Sequence, residues 1–125
     1  MSILVGKHIR TKLFESPLAE KVGGRIFLDG LNRDTICPYV IYSYSVSKGD
    51  ETKDGDMDVC QVSVYVYSRN GEESLELAND IRKALDNTSG DYGDFGVLNT
   101  TFESYRGVWN AGEYERELNF NIKTY

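Results

Sequence analysis

Cysteine is scarce in this chain, and the two present, Cys37 and Cys60, have no CxxC spacing and no further cysteines to pair with. That excludes a disulfide framework or a zinc site as the organising element, and both are expected as reduced, small core residues on two different strands. Long apolar runs are missing as well. The opening MSILVGKHIR holds three consecutive apolar residues, far below the roughly 18 that a span requires, so neither a secretory leader nor a membrane helix is expected and the cytosol is the default compartment. Positive charge is in deficit, with 14 Lys and Arg against 20 Asp and Glu and a net charge of −6. A chain without surplus cations to neutralise phosphates is not expected to read nucleic-acid sequence. His8 is the only histidine, on a basic helix face, and nothing in the sequence nominates a partner to orient it for nucleophilic or general-base work. It is expected as an exposed or half-buried helix residue.

What is present is enough to fold. The 125 residues suit one domain, and Ile, Leu, Val and Phe make up about a quarter of them, above the level at which a charged chain stays disordered. Val5, Ile9 and Leu13 recur every four residues, with Ile3 and Leu4 alongside, which predicts an amphipathic helix over Ile3 to Phe14. Ser16-Pro17-Leu18-Ala19-Glu20 carries the signature of a fresh helix start, with Ser16 as cap and Glu20 closing back, and Gly23-Gly24 stops it. Arg25 to Asp29 is expected as a short strand. Pro38 to Val46 is dense in aromatic and β-branched residues, and Val59 to Ser68 alternates, with Cys60, Val62, Val64 and Val66 on one face and Gln61, Ser63, Tyr65 and Tyr67 on the other. These two strands form a hairpin around the polar run KGDETKDGDMD.

The period then changes. Leu75, Ala78, Ile81 and Leu85 repeat at three to four residues, with acids in the first turns and Arg82 and Lys83 in the last, as the helix dipole favours. Asp86 to Gly96 reads as turns, and since it does not run from a strand into a helix it is no phosphate cradle. Strands are expected over Val97 to Arg106 and Glu113 to Tyr125, joined by a turn through Trp109, with Leu118, Phe120 and Ile122 facing in. The order α, α, β, β, β, α, β, β is that of a single α+β domain with a mostly antiparallel sheet. Its core should set Val62, Val64, Val66, Leu118, Phe120 and Ile122 against Leu75, Ala78, Ile81 and Leu85.

Two features bear on function. The acids Asp50, Glu51, Asp54, Asp56 and Asp58 make the hairpin loop the most negative segment. They do not fit a calcium loop, because no start at Asp50 or Asp54 supplies both the glycine at its sixth position and the glutamate at its twelfth. Of the nine tyrosines, Tyr42, Tyr44, Tyr65, Tyr67, Tyr105, Tyr114 and Tyr125 all fall in predicted strands, where they serve equally for sheet packing or for an assembly surface.

Leu18 to Phe27 (Leu-Ala-x-x-Val-Gly-Gly-Arg-Ile-Phe), Pro38 to Tyr42, the Val-x-Val-Tyr-Val-Tyr of Val62 to Tyr67 and the helix Leu75 to Leu85 come in an order that resembles the tail-completion proteins of long-tailed bacteriophages and their prophages, also called tail-terminator or head-tail joining proteins. The resemblance covers nearly the whole chain, although the acidic loop is long and the Trp109 turn matches no residue of the family. It implies a sheet with helices packed on one face, no enzyme activity and no cofactor. It also implies a ring, typically of six copies, that caps the tail tube and joins it to the head. The implied partners are further copies of the chain and the phage tail-tube and head-connector proteins. The implied locations are the cytoplasm of the bacterial host during assembly and the virion tail. Asp50, Glu51, Asp54, Asp56 and Asp58 then become candidates to face the ring channel or a partner. A small dimeric ferredoxin-like module that holds a ligand between sheet and helices is the alternative, and its convergent polar pocket is not evident in the sequence.

Overall fold

The computed structural model describes residues 3–30, 35–48 and 58–125. Chain order is a 3-10 turn at Ile3–Val5, α1 (Gly6–Glu15), α2 (Pro17–Lys21), β1 (Ile26–Leu28), β2 (Tyr39–Lys48), β3 (Asp58–Ser68), α3 (Gly71–Leu85), β4 (Gly90–Asp91), β5 (Gly96–Asn110) and β6 (Glu113–Thr124). The strands form one six-stranded sheet in the order β1-β2-β3-β6-β5-β4, in which β1 runs parallel to β2 and every other pair is antiparallel. The architecture is α+β, as the pattern predicts.

Register follows from the hydrophobic alternation, since a slip of one residue would turn every apolar side chain to the wrong face. Val64 lies between Tyr42 of β2 and Leu118 of β6, Val62 between Tyr44 and Phe120, and Cys60 between Val46 and Ile122. Val62, Val64, Val66, Leu118, Phe120 and Ile122 are all buried, against Leu77, Ala78, Ile81 and Leu85 of α3 and Val5, Ile9 and Leu13 at the start of the chain. Gly6 allows α1 to lie against the sheet: a Cβ there would sit 2.6 Å from the Tyr44 hydroxyl, which itself donates to the Ile3 carbonyl at 2.6 Å. Asn70 caps α3, accepting from the Glu73 amide at 3.0 Å, and Ser68 donates to the Glu73 carboxylate at 2.6 Å.

Several expectations are corrected. Leu75 is exposed and Leu77 takes its place in the core, because the buried stripe runs through Ser74, Leu77, Ala78, Ile81 and Leu85 and leaves Leu75 to one side. Ile3 and Leu4 precede α1 and point outward. Ser16 begins α2 but its hydroxyl turns back to the Leu13 carbonyl at 2.7 Å, so no capping box forms. Cys37 is half-buried in the loop before β2 and donates to Glu113 at 3.3 Å, whereas Cys60 is the core residue expected. The segment after α3 is more than turns. It holds β4 and the stacked pair Tyr92 and Phe95, with ring centroids 4.8 Å apart.

His8 is the largest departure from the sequence reading, being fully buried. Its Nδ1 lies 2.6 Å from the Tyr92 hydroxyl and its Nε2 lies 3.0 Å from Thr88 Oγ1. Thr88 spends its one hydroxyl proton on the Leu85 carbonyl at 2.6 Å, so its oxygen must accept from His8. The proton of the imidazole is therefore on Nε2, and Nδ1 accepts from Tyr92. Burial first, and the Lys12 ammonium second, push the imidazole pKa down to about 4. The ring ties α1 to the loop after α3 as a neutral group.

Candidate functional site

The final hairpin is longer than its sequence suggests. β5 continues to Asn110 and turns through Ala111 and Gly112 alone, both in the left-handed region at φ of 52° and 85°, as a two-residue hairpin requires. Trp109 is thus in a strand, opposite Tyr114, and not in a turn. Gly107 and Gly112 together read as punctuation, and that hid the continuing alternation on either side.

This extension creates an open surface. β4 pairs only with Gly96 and Val97, so the outer edge of β5 has no neighbouring strand from Leu98 onward among the described residues. Residues 103–112 are all exposed. Trp109 is 61% accessible, and Leu98, Tyr105 and Val108 are exposed with it. Exposed aromatic side chains beside unpaired backbone groups are what a partner strand or surface can cover. Beside this edge, between α3 and β5, lies a groove of about 310 Å³ walled by Leu75, Ala78, Phe102, Tyr105 and Leu118. Arg82 closes one end with its guanidinium 4.1 Å above the Phe102 ring.

The sheet face away from the helices is polar and half-buried. Tyr39 and Tyr67 stack at 4.8 Å, and the Tyr67 hydroxyl donates to Glu115 at 2.7 Å. Burial, and then the Glu115 carboxylate, raise the Tyr67 phenol pKa, while Tyr39 is pushed up to about 12 by burial and by Glu113. Ser63 donates to the Asn119 side chain at 2.7 Å, which donates in turn to Ser104 and Glu117. Arg106 pairs with Glu117 at 3.2 Å. The tyrosines therefore divide: Tyr39, Tyr65 and Tyr67 build this polar face, Tyr42 and Tyr44 pack toward the helices, and Tyr105 stands on the open edge.

The predicted acidic cluster is brought together only in part. Asp50, Glu51, Asp54 and Asp56 lie outside the described residues. Asp58 is the first residue of β3, buried on the same side as Cys60 and in register with Lys48 and Thr124, because the strand alternation extends one step back from the expected start at Val59. No three His, Cys, Asp or Glu side chains among the described residues are grouped to hold a metal ion, and no described helix is long and apolar enough to cross a membrane.

The profile of the family described as tail completion protein gp17 matches residues 7–124. The chain belongs to that family. The fold of this tail-completion chain is similar to a component of the native gene transfer agent virion, with a TM-score of 0.78 at 16% identity over 93% of this chain and 90% of that one. A second solved structure matches at a TM-score of 0.59 and 13% identity, covering 96% of this chain and 95% of the other. A search of curated proteins returned no match. A structural role in a phage-type tail follows for this chain from its membership of the tail-completion family.

Proposed function

We propose that this tail-completion protein works as a ring of identical copies, six by the family resemblance, that caps the tail tube and joins it to the head without catalysing a reaction. The family match over residues 7–124 carries this reading. A ring needs two different complementary surfaces per copy, whereas a two-fold dimer needs one self-complementary patch. The chain has dissimilar surfaces to offer: the open β5 edge with Trp109, the polar sheet face and the outer side of α1. Assembly takes place in the host cytoplasm, and the finished ring stays in the virion tail. Electron microscopy of the purified chain incubated with tail tubes tests the reading, with a ring on the tube end as the expected result. A stable two-fold dimer at micromolar concentration in sedimentation, with no ring on tubes, would favour the ligand-binding alternative.

We assign the contact with the adjoining tail-tube or head-connector protein to the β5 edge. Trp109→Ala removes an indole that is mostly in solvent, so the unfolding midpoint should stay at the wild-type value. Joined particles, counted in a complementation assay, should fall about tenfold or more, because a desolvated tryptophan is the commonest interface anchor. Full particle yield with this variant would remove Trp109 from the contact.

The acidic run around Asp50, Glu51, Asp54 and Asp56 belongs to the same proposal. Facing the channel, these carboxylates repel the phosphates of passing DNA, and facing a basic partner they attract it. Changing all four to Asn or Gln should leave the unfolding midpoint unchanged. Slower DNA ejection would mark the channel role, and failed joining the docking role. Unchanged ejection and unchanged particle yield would leave these acids no role beyond solubility.

A further inference from the structure

The outer side of α1 and the polar face of β6 are complementary, although they lie on opposite sides of the sheet. On α1 and the turn before it, Ile3, Lys7, Arg10 and Phe14 follow each other at steps of four, three and four residues, which places them on one stripe of the helix surface. All four are exposed, with Leu4 beside them, and the Arg10 guanidinium lies 4.5 Å above the Phe14 ring. Among the described residues, neither Lys7 nor Arg10 has a carboxylate within ion-pair distance. The stripe is apolar at both ends and cationic between, in a chain whose net charge is −6.

On the other side, Glu113, Glu115 and Glu117 alternate along β6 and share one face. Glu117 is matched by Arg106 at 3.2 Å. Glu115 is bonded by a neutral phenol and Glu113 by a neutral thiol, so hydrogen bonds hold these carboxylates in place without cancelling their charge. Arg69 lines the crevice shared by Glu113 and Cys37, which leaves Glu115 the carboxylate least offset by a nearby cation. Val108 stands opposite Glu115 in the ladder and is 39% exposed, an apolar neighbour for Leu4 or Phe14.

We propose that the α1 stripe of one copy docks on the Glu113–Glu115 face of the next, with Lys7 and Arg10 against the two carboxylates and the flanking Ile3, Leu4 and Phe14 against Val108. The inference rests on the ring reading and names its copy-to-copy contact. The occupant is a second copy because the same chain carries both halves of the complementarity, and because two surfaces on opposite sides of a sheet cannot meet within one molecule. Repeating such a contact gives a head-to-tail series, the heterologous geometry that closes into rings. An interface held by ion pairs between exposed cations and half-buried carboxylates that solvent still reaches also weakens as salt rises.

Two charge-reversed full-length chains test it. One carries Lys7→Glu and Arg10→Glu, the other Glu113→Lys and Glu115→Lys, and circular dichroism first establishes that each folds. Each alone should associate about tenfold more weakly than wild type in sedimentation, and the carbodiimide cross-link joining Lys7 of one copy to Glu113 or Glu115 of another should disappear. Mixed in equal amounts they should associate again, because the acidic α1 of the first meets the basic strand of the second and the native halves still match. If the second variant does not fold, Glu113→Gln with Glu115→Gln replaces it: wild-type association in that chain would overturn the proposal, and a weakening comparable to that of the first variant would support it. Wild-type cross-links between copies at other positions would overturn this surface while leaving the ring intact. An absence of any cross-link between wild-type copies, free or on tail tubes, would remove the ring reading itself.

Discussion

Replacing Val64 with Asp should abolish the cooperative unfolding transition of this protein. Val64 has no exposed surface and sits between Tyr42 and Leu118 in the middle of the sheet, so a carboxylate there has neither water nor a cation within reach. The cost of burying an unpaired charge is several kcal/mol, comparable to the whole stability of a domain this size, about 5–15 kcal/mol. Ile81→Asp should do the same from the helix side. The more discriminating comparison is on α3 itself. Leu77→Ala opens a cavity beneath the helix and should lower the unfolding free energy by about 3 kcal/mol, whereas Leu75→Ala, at a position 52% exposed, should change it by less than about 1 kcal/mol. Urea titrations followed by circular dichroism read all four. Equal losses at Leu75 and Leu77 would mean that α3 is rotated from the phase described.

Acid should loosen the attachment of α1 to the loop after α3. The folded state holds His8 neutral, with its pKa lowered to about 4 against 6.5 when free. A group depressed in this way contributes fully above its unfolded pKa, and the contribution is lost as pH falls from about 6.5 toward 4, because the unfolded chain takes up the proton first. Two and a half pH units correspond to roughly 3 kcal/mol. Protonation also places a hydrogen on Nδ1, where Tyr92 now donates, and removes an acceptor from a closed set of hydroxyl bonds. Carboxylates titrate over the same range, so the measurement is a difference: unfolding free energy from pH 7 to 4 for wild type minus that for His8→Gln. The difference should shrink steadily below pH 6.5. A constant difference over that range would show that His8 is solvated and its network is open.

The strong periodicities were legible because each reports one flat environment. The two-residue period of Val62, Val64 and Val66 and the three-to-four-residue period of Ala78, Ile81 and Leu85 match a sheet and a helix facing each other, and the structure packs them so. Leu75 misled because it satisfies the same spacing as Leu77 within the tolerance of a helical pattern. His8 misled because its partners, Thr88 and Tyr92, are 80 and 84 residues away, and nothing local marks a polar residue as buried. The Trp109 surface was hidden for a related reason. Gly107 and Gly112 weaken a strand pattern, but in the sheet Gly107 is a place where the Arg116 side chain crosses close to the backbone, and only Gly112 turns it.

From its sequence alone, this protein is a single acidic α+β domain with a mostly antiparallel sheet and the order of elements and strings that carries the family resemblance. Side-chain alternation and helical periodicity are properties of neighbouring residues, and the free energy of burying an apolar face acts on them directly. Which surfaces stay open was decided by tertiary structure. Among the described residues, the placement of β6 between β3 and β5, the short reach of β4 and the crossing of α3 leave the β5 edge and the outer side of α1 exposed and the Glu115 face half-buried. Those are contacts between elements far apart in the chain, whose register and order depend on the packing of the whole sheet and not on any one segment.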